Sequence, residues 1–438
     1  MSGSRHSADE KKGNLSSIKM AQLEKMILCI SPSVYGGFVF TFYDFTSWRV
    51  IMKKIIGLVT CFMLASGVLV PEAFAAEKKN ELAPEAKSAI LIEQATGEVL
   101  YSKNSHEELP PASMTKIMTM LLIMEALDKG EIKMDEKVRT SEYAASMGGS
   151  QIFLEPGEEM TVEQMLKGIA IGSANDAAVA MAERIGGSEE AFVDKMNERA
   201  KALGLKNTHF ENVTGLPVKG HYSSAYDMAV MAKQLLKHHG ITNFTGKYED
   251  YLREGSDKKF WLVNTNKLVR HYPGVDGLKT GFTNEAKFCL TATAKKNGMR
   301  VIAVVFGAPS TKVRNAQVSK MLDYAFSQYT SHPLYRKGAV LDQVKVSKGS
   351  MRHVRAVTSE PVSVLTKKGV KLSNLKKNVK LKKNVQAPVQ KGDEIGTLTV
   401  SQDGKVLAKT TLVADKTVKR AGWWQLFKRA AGMFVQKD

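Results

Sequence analysis

The alternation of strand-like and helix-like segments is the feature that most constrains the fold of this 438-residue chain. Two short apolar runs, Ser88–Glu93 and 98–102, are joined through a turn and predict a β-hairpin. Helical periodicity follows to about residue 239, and three more strands are predicted near 276–280, 288–294 and 300–306, the last two joined by an Asn-Gly turn. The simplest assembly is one antiparallel sheet, interrupted in sequence by a helical subdomain.

Two further segments follow this first domain, which ends in a predicted long helix at 311–329. Short alternating apolar runs separated by Lys-Gly and Asp-Gly turns predict a small all-β domain over 335–418. The last segment, 419–438, places its apolar residues, including Trp423 and Trp424, on one broad helical face. This amphipathic helix could dock on the β domain, but paired tryptophans beside a basic domain favour a membrane surface. The predicted class is α/β in the broad sense, that is α+β.

The positive charge is concentrated near the C-terminus. The whole chain has a formal net charge of +19, and residues 331–438 contain 23 Lys and Arg against 7 Asp and Glu, so +16 of it lies there. Such a surface favours anionic partners. The signal-peptide pattern at residues 52–75 predicts export. An exported protein does not meet nucleic acid, so the expected anionic partners are wall polymers or lipid headgroups.

Residues 52–75 have the order of a secretory signal peptide. A basic start at 52–54 is followed by an uncharged apolar run at 55–70 and a small-residue site ending at Ala75. We expect cleavage after Ala75, export to the outer face of the cytoplasmic membrane, and translation from Met52, which makes residues 1–51 an over-extension of the reading frame.

Two alternatives for the leader fit less well. An uncleaved transmembrane anchor needs about 20 apolar residues, and a lipidated Cys61 would have apolar residues continuing beyond it. After cleavage only Cys289 remains of the three cysteines, so an internal disulfide is impossible. Its apolar surroundings predict a buried side chain.

Three short motifs contain the residues suited to catalysis. Ser113-Met114-Thr115-Lys116 places a hydroxyl and an amine on one helix face, where a neutral amine can take the proton of the serine. Ser173-Ala174-Asn175 adds a second hydroxyl and an amide before a predicted helix, and Lys279-Thr280-Gly281 ends a predicted strand with a cation and a hydroxyl. Each motif alone is weak, whereas the three together are specific.

In this order and spacing the motifs resemble those of the penicillin-recognising serine enzymes, which include penicillin-binding proteins and class A β-lactamases. The resemblance is closest to low-molecular-mass D-alanyl-D-alanine carboxypeptidases of the peptidase S11 family, and it runs from about Pro84 to the C-terminus. It implies a β-lactamase/transpeptidase-like catalytic domain over 84–330, followed by the basic β domain and the anchoring helix. The most similar segments are 110–116, 171–177, 222–229 and 277–283.

The resemblance also implies a role for each motif residue. Ser113 would attack the carbonyl of the penultimate D-alanine of a peptidoglycan stem pentapeptide, with Lys116 as general base. Ser173 would relay a proton to the amine of the terminal D-alanine as it leaves. The same acyl-enzyme chemistry implies covalent binding of β-lactam antibiotics and requires neither a metal nor a cofactor.

The remaining motif residues would bind the substrate. Asn175 would orient the stem peptide and the base lysine, while Lys279 and Thr280 would hold the terminal carboxylate. Gly281 would let the substrate backbone come close. Phe282 stands where the family often has histidine, but its implied contribution is a main-chain N–H that forms the oxyanion hole together with that of the nucleophile.

Three alternative functions share parts of this sequence pattern. A β-lactamase of class A would carry a Glu-x-x-Leu-Asn string between Ser173 and Lys279, and none occurs. Transpeptidase or endopeptidase activity stays open, because only the acyl acceptor or the scissile context differs. A non-catalytic wall-binding protein is opposed by the intact motifs. Arg314 could assist carboxylate binding, although we interpret it as an exposed helix arginine.

Overall fold

The computed structural model describes residues 81–238 and 240–428. The expected extension at 1–51, the expected signal peptide at 52–75 and the end of the tail at 429–438 lie outside the described residues. Within the described part, an α+β domain is followed by an all-β domain, which confirms the predicted fold class.

One antiparallel sheet organises the first domain. The described strands of this domain are β1 (Ser88–Glu93), β2 (Val99–Lys103), β3 (Lys137–Arg139), β4 (Glu159–Thr161), β5 (Glu249–Leu252), β6 (Phe260–Val263), β7 (Val275–Thr283), β8 (Lys287–Lys296) and β9 (Met299–Ala308). The central sheet has the order β2-β1-β9-β8-β7, and β3–β4 and β5–β6 form separate hairpins. Strands from both ends of the domain are therefore neighbours, as predicted. The β8–β9 turn has positive φ at Asn297 (49°) and Gly298 (79°), the conformation that an Asn-Gly hairpin favours.

Helices form the middle of the domain and its last element. They are α1 (Lys116–Lys129), α2 (Glu142–Ala145), α3 (Val162–Lys167), α4 (Asn175–Gly186), α5 (Glu189–Ala202), α6 (Ala225–Leu235), α7 (Ile241–Thr245), α8 (Leu268–His271) and α9 (Thr311–Gln328). The start of α6 is set by Ser224, whose hydroxyl accepts a hydrogen bond from the Asp227 N–H at 3.1 Å. Serine is one of the residues preferred at this N-cap position, because its hydroxyl satisfies an N–H group that has no partner within the helix.

The central sheet is covered on both faces. Ile90 and Ile92 of β1 belong to the core that the sheet shares with α1 and α6, whereas Ala89 and Leu91 belong to the core shared with α9. All six residues of β1 are consequently buried, which explains why its sequence is a continuous apolar run and not an alternating one.

The second domain is a β domain, as predicted. Its strands are β10 (Tyr329–Tyr335), β11 (Val340–Ser347), β12 (His353–Thr358), β13 (Val362–Lys367), β14 (Lys376–Leu381), β15 (Val385–Gln386), β16 (Glu394–Gln402) and β17 (Lys405–Ala414). Six of them form a sheet of order β14-β16-β17-β12-β11-β15, and β10 pairs with β13. β10 follows α9 directly, so β structure begins before the predicted boundary at 335. The sequence of β10 contains Pro333 and does not alternate, so periodicity gives no strand signal there.

The described part of the tail is helical over residues 423–428. Its aromatic side chains do not pack on the β domain, since Trp423 and Trp424 are 67% and 66% exposed. They contact each other and Phe427, whose ring stacks on that of Trp423 with 5.4 Å between the centroids. Among the described residues, no helix combines the length and the apolar character needed to cross a bilayer.

Candidate active site

Ser113 lies in a 3₁₀ turn, Ala112–Thr115, that leads into α1. Two prolines end the preceding extended segment, and Ala112 adopts a positive φ of 48°, a conformation that L-residues rarely adopt. Gly215 of the opposite loop packs against this turn so closely that an added Cβ would lie 1.8 Å from the Ala112 carbonyl oxygen. Packing from both sides therefore holds a strained turn at the serine, a feature often found at functional sites.

Lys116, in the first turn of α1, is completely buried. Its Nζ lies 3.2 Å from Ser113 Oγ, 2.5 Å from Asn175 Oδ1 and 2.8 Å from the Thr214 carbonyl oxygen. Burial, and then the charge of Lys279, lower the pKa of Lys116 well below its usual value, and Asp176 opposes this only in part. A neutral amine has two N–H groups and one lone pair. With Asn175 and Thr214 accepting the two protons, the lone pair faces the serine hydroxyl.

Asn175 is the first residue of α4, and its amide is held at both ends. Nδ2 donates to the Gly148 carbonyl oxygen at 2.6 Å, which leaves Oδ1 facing the buried lysine. The adjacent Asp176 accepts hydrogen bonds from the N–H groups of Ile152 and Leu154 at 3.1 and 3.0 Å. The segment from residue 148 to 154 is thus fastened to the start of α4, and the amide orientation follows from that attachment.

Ser173 precedes α4 at the end of a π-helical turn, Gly168–Gly172. It is buried and adopts a left-handed conformation with φ of 64°. Its hydroxyl makes no hydrogen bond to another described residue, so it is not committed to a structural role there. The chain connection through Ala174 places it beside the amide of Asn175, which contacts Lys116.

Strand β7, at the edge of the central sheet, carries the third motif. Lys279 is buried, and burial followed by the charge of Arg314 lowers its pKa to about 7. Its Nζ donates to the Thr280 carbonyl oxygen at 3.0 Å, and the Thr280 hydroxyl donates to Thr265 Oγ1 at 2.7 Å. An ammonium group and a hydroxyl therefore occupy neighbouring positions on the strand, a pair suited to a carboxylate.

Gly281 has a structural requirement that the sequence did not reveal. A Cβ at this position would lie 2.6 Å from the Pro111 carbonyl oxygen and 3.2 Å from Ala112 Cβ. The glycine that we expected to admit substrate backbone thus admits the backbone of the nucleophile turn. The next residue, Phe282, is 53% exposed and packs its ring on Phe288 with centroids 4.5 Å apart.

Arg314 corrects one prediction, because it is not an exposed helix arginine. It is only 4% exposed, and its Nη1 lies 3.4 Å from the Cys289 carbonyl oxygen. Burial lowers its own pKa to about 10. The sequence did contain the signal: Arg314 occupies the same helix stripe as Val318 and Met321, which face the sheet at i+4 and i+7. Cys289 is buried as predicted.

His221 and Thr214 belong to the site and were missed. The Glu211 N–H donates to His221 Nδ1 at 3.1 Å, so Nε2 carries the proton and donates to Thr115 Oγ1 at 2.8 Å. Burial, aided by the nearby His209, lowers the pKa of His221 to about 4. The histidine thereby ties the nucleophile turn to the loop that supplies the Thr214 carbonyl. A main-chain carbonyl can belong to any residue, and a contact between two distant loops leaves no pattern in the sequence. Neither the Thr214 carbonyl nor the His221 contact could therefore be predicted.

A cleft of about 630 Å³ opens beside the nucleophile turn. One wall is formed by the turn from Pro110 to Ala112, another by the loop from Gly215 to Tyr222, and the third by Thr283 and Glu285 beyond the motif on β7. It is large enough for an extended peptide of a few residues. The arrangement as a whole, a hydroxyl beside a neutral amine and a strand that presents an ammonium group and a hydroxyl, suits acyl transfer from a peptide that ends in a carboxylate.

Comparisons with known proteins agree with this chemistry. Residues 74–310 match a family model described as D-alanyl-D-alanine carboxypeptidase, and residues 329–420 match the penicillin-binding protein 5, C-terminal domain. The carboxypeptidase DacF of Bacillus subtilis is 66% identical over 365 residues, covering 83% of this chain and 94% of the relative. DacC of Escherichia coli is 35% identical over 81% of this chain and 90% of its own length. Penicillin-binding protein 5 from Haemophilus influenzae superimposes with a TM-score of 0.61 at 31% identity, covering 77% of this chain and 98% of that structure.

Proposed function

The chain belongs to the D-alanyl-D-alanine carboxypeptidase family of serine peptidases and is itself such an enzyme, and from this premise we propose that Ser113 is the nucleophile. As a penicillin-binding carboxypeptidase it acts on peptidoglycan stem peptides and binds β-lactams. The observation that supports Ser113 most directly is its 3.2 Å contact with the fully buried Lys116 amine.

Acylation follows from these contacts. Lys116 takes the Ser113 proton as Oγ bonds to the carbonyl carbon of the penultimate D-alanine. The tetrahedral intermediate collapses with cleavage of the C–N bond, and the proton reaches the leaving amine of D-alanine through Ser173. The main-chain N–H groups of Ser113 and Phe282 stabilise the oxyanion. Water then attacks the ester, which releases the shortened peptide and restores the serine hydroxyl.

Substrate recognition is assigned to strand β7 and to Asn175. Lys279 and Thr280 bind the terminal carboxylate, because a buried ammonium group without a carboxylate partner gains most from an incoming anion. Asn175 keeps the base lysine oriented and faces the peptide backbone. Gly281 lets the strand lie close to the turn that carries Ser113. Ser113 can then reach the carbonyl carbon while Lys279 and Thr280 bind the terminal carboxylate of the same peptide.

Substitution of Ser113 tests this assignment. Ser113→Ala should abolish covalent labelling by a fluorescent penicillin and the release of free D-alanine from a stem pentapeptide, because no other group supplies the acyl oxygen. Ser327→Ala, an exposed serine on α9, is the matched control and should keep both activities. Labelling that persists in a folded Ser113→Ala protein would show that another residue is the nucleophile. D-alanine leaves in both hydrolysis and transpeptidation, so the second product separates them: a shortened peptide with a free carboxylate indicates hydrolysis, and one joined to an added amine indicates transpeptidation.

We further propose that the protein is exported and attached peripherally to the outer face of the cytoplasmic membrane. The signal-peptide pattern at 52–75 supports export. The exposed Trp423, Trp424 and Phe427 support attachment, since they leave apolar surface on the tail without cover from the β domain. Co-flotation of the full chain with anionic vesicles measures this attachment.

A further inference from the structure

A second cleft, of about 440 Å³, lies between the two domains and away from the nucleophile. Its first wall is the β1–β2 turn with one face of α6, and its second wall is the β12–β13 turn with part of β17. Its polar lining residues are Thr96, Tyr226, Lys233, Gln234, Lys237, Ser359, Glu360, Lys409, Thr410 and Thr411. The cleft is therefore lined by three lysines and five hydroxyl-bearing residues but only one carboxylate, and the reaction uses none of them.

Lys233 is the unusual member of this set. It lies largely enclosed on α6, and an added Cβ on Gly97 would be 2.9 Å from its Nζ, so the amine sits directly over the β1–β2 turn. Among the described residues, it makes neither a hydrogen bond nor an ion pair. Burial lowers its pKa. An ammonium group held in this way is stabilised by any anion that enters beside it.

The nearby carboxylates already have other partners. Glu360 pairs with Lys237. Glu93, behind the turn, accepts hydrogen bonds from the N–H and the hydroxyl of Thr96, both at 2.7 Å. Lys409, exposed on β17, makes no ion pair with a described residue. Lys233 and Lys409 therefore form no direct ion pair with a described residue, although the charges of Glu360 and Glu93 act on Lys233 and oppose the effect of its burial. The Ser359 hydroxyl lies 3.5 Å from that of Thr410, which is next to Lys409 on β17.

We propose that this interdomain cleft binds a phosphodiester group of an anionic polymer, with Lys233 and Lys409 as its cationic contacts. Lysine binds phosphate as a compact point charge, and the cleft presents three lysines and no arginine. The hydroxyls supply further donors to the remaining oxygens. The surrounding domain carries most of the net positive charge, which draws a polyanion toward the cleft.

A polymer fits the site better than a bilayer does. Lys233 is enclosed between the two domains and Lys409 lies exposed at the edge of the cleft, so a flexible chain can contact both lysines, whereas a planar lipid surface cannot enter the cleft. The tail helix, by contrast, presents its aromatic side chains outward. Membrane attachment and phosphate binding are thus assigned to different parts of the molecule.

Calorimetric titration of the full chain with a glycerol phosphate oligomer tests the proposal. The double variant Lys233→Gln/Lys409→Gln should weaken binding at least about tenfold, because it removes two charge-assisted contacts. The control Lys345→Gln/Lys376→Gln loses the same charge from exposed lysines outside the cleft and should change the affinity by no more than about twofold, since exposed charges are screened. Release of D-alanine from a soluble pentapeptide should be unchanged in both, which shows that the fold is intact.

Four results would overturn the proposal. Oligomer binding that does not saturate, or that falls equally in the two double variants, means that only the diffuse basic surface attracts the polymer. A polyglutamate oligomer of equal length that binds as tightly, with the same dependence on the cleft lysines, contradicts the phosphate class. Loss of binding to phosphatidylglycerol vesicles in the cleft variant assigns the site to lipid. If the double variant loses peptidase activity, the single variant Lys409→Gln replaces it, because Lys409 occupies an exposed strand position. Lys409→Gln must then weaken oligomer binding at least about threefold, and an unchanged affinity refutes the site.

Discussion

At the scale of single residues, the site depends on amines that the fold keeps out of water. Burial is the main cause of the lowered pKa of both Lys116 and Lys279; the charge of Lys279 lowers the pKa of Lys116 further, and the charge of Arg314 lowers that of Lys279. Burying charge is unfavourable for stability, yet it produces the neutral amine that a serine nucleophile requires. The stability of the nucleophile turn therefore depends on neutral hydrogen bonds, of which that of His221 is the clearest.

His221 should make stability depend on pH. Its folded-state pKa of about 4 lies below the usual 6.5, so the folded chain disfavours the protonated ring. The contribution of neutral His221 to the free energy of unfolding is fully present above pH 6.5 and is lost as the pH falls toward 4. The largest loss is about 3 kcal/mol. In urea unfolding at several pH values, His221→Gln should lose less free energy of unfolding across this interval than the parent. His353→Gln, exposed on β12, should behave as the parent. Equal slopes for the parent and His221→Gln would refute the assignment.

Arg314 should set the pH range over which the carboxylate-binding lysine stays charged. Removing a cation from beside Lys279 raises its pKa above about 7, so Arg314→Gln should move the alkaline limb of kcat/KM to higher pH, by about half a unit or more. Lys312→Gln makes the same charge change at an exposed position of the same helix and should leave the limb in place. An unmoved limb in Arg314→Gln would mean that Lys279 does not control it.

At the scale of elements, strand β7 and the nucleophile turn are positioned by their contact with each other. The contact is backbone against backbone at Gly281 and Pro111, so neither side can yield by changing a rotamer. The sheet is rigid on the other side of β7, where it pairs along its length with β8. Any atom added at this contact must therefore displace the turn that carries the nucleophile.

Gly281→Ala should lower the rate of acylation by penicillin about a hundredfold, because a displacement of about 1 Å at a reacting group costs that much. It should also lower the melting temperature. Gly148→Ala is the matched control: Gly148 lies in the same site and its carbonyl binds the Asn175 amide, but an added Cβ meets no atom within 4 Å. Acylation at the parent rate in Gly281→Ala would show that the turn is not held by this contact.

At the scale of the whole molecule, a catalytic domain is joined to a basic β domain and an amphipathic tail. α9 leads into β10 without a loop, and β13, which pairs with β10, adds Leu365 to the core between the sheet and α9. The two domains are therefore joined by packing as well as by the chain. The tail continues from the β domain with its aromatic residues exposed, which separates attachment from catalysis.

Attachment should be removable without loss of catalysis. Deleting the residues after Arg420, or changing Trp423 and Trp424 to Ser, should lower co-flotation with anionic vesicles at least about tenfold, because the apolar surface that enters the interface is lost. Release of D-alanine in solution should be unchanged. Val406→Ser, an exposed apolar residue of the β domain, is the control and should keep vesicle binding. Retention on the membrane after deletion would indicate that the leader serves as an uncleaved anchor.

The sequence alone determined the longer elements and the identity of the motif residues, but not the short hairpins β3–β4 and β5–β6. Periodicity indicated the hairpin, the helical middle, the three later strands and the β domain, because solvent exposure of each face imposes a regular spacing on apolar residues. Ser113 and Lys116 were predictable as a pair, since residues three apart on a helix are neighbours and need no tertiary information. The N-cap at Ser224 was likewise local.

Only the tertiary structure decided what surrounds those residues. The Thr214 carbonyl, the His221 ring and the Pro111 oxygen that excludes a side chain at Gly281 reach the site from segments distant in sequence, and a main-chain oxygen carries no residue identity to recognise. Arg314 shows the same limit from the other side. Its place on the apolar stripe of α9 is visible in the sequence, but a charged residue is normally solvated, and only the packing of α9 on the sheet shows that this arginine is buried beside Lys279. Local spacing determines which residues share a face, whereas the packing of distant segments determines the pKa of each group.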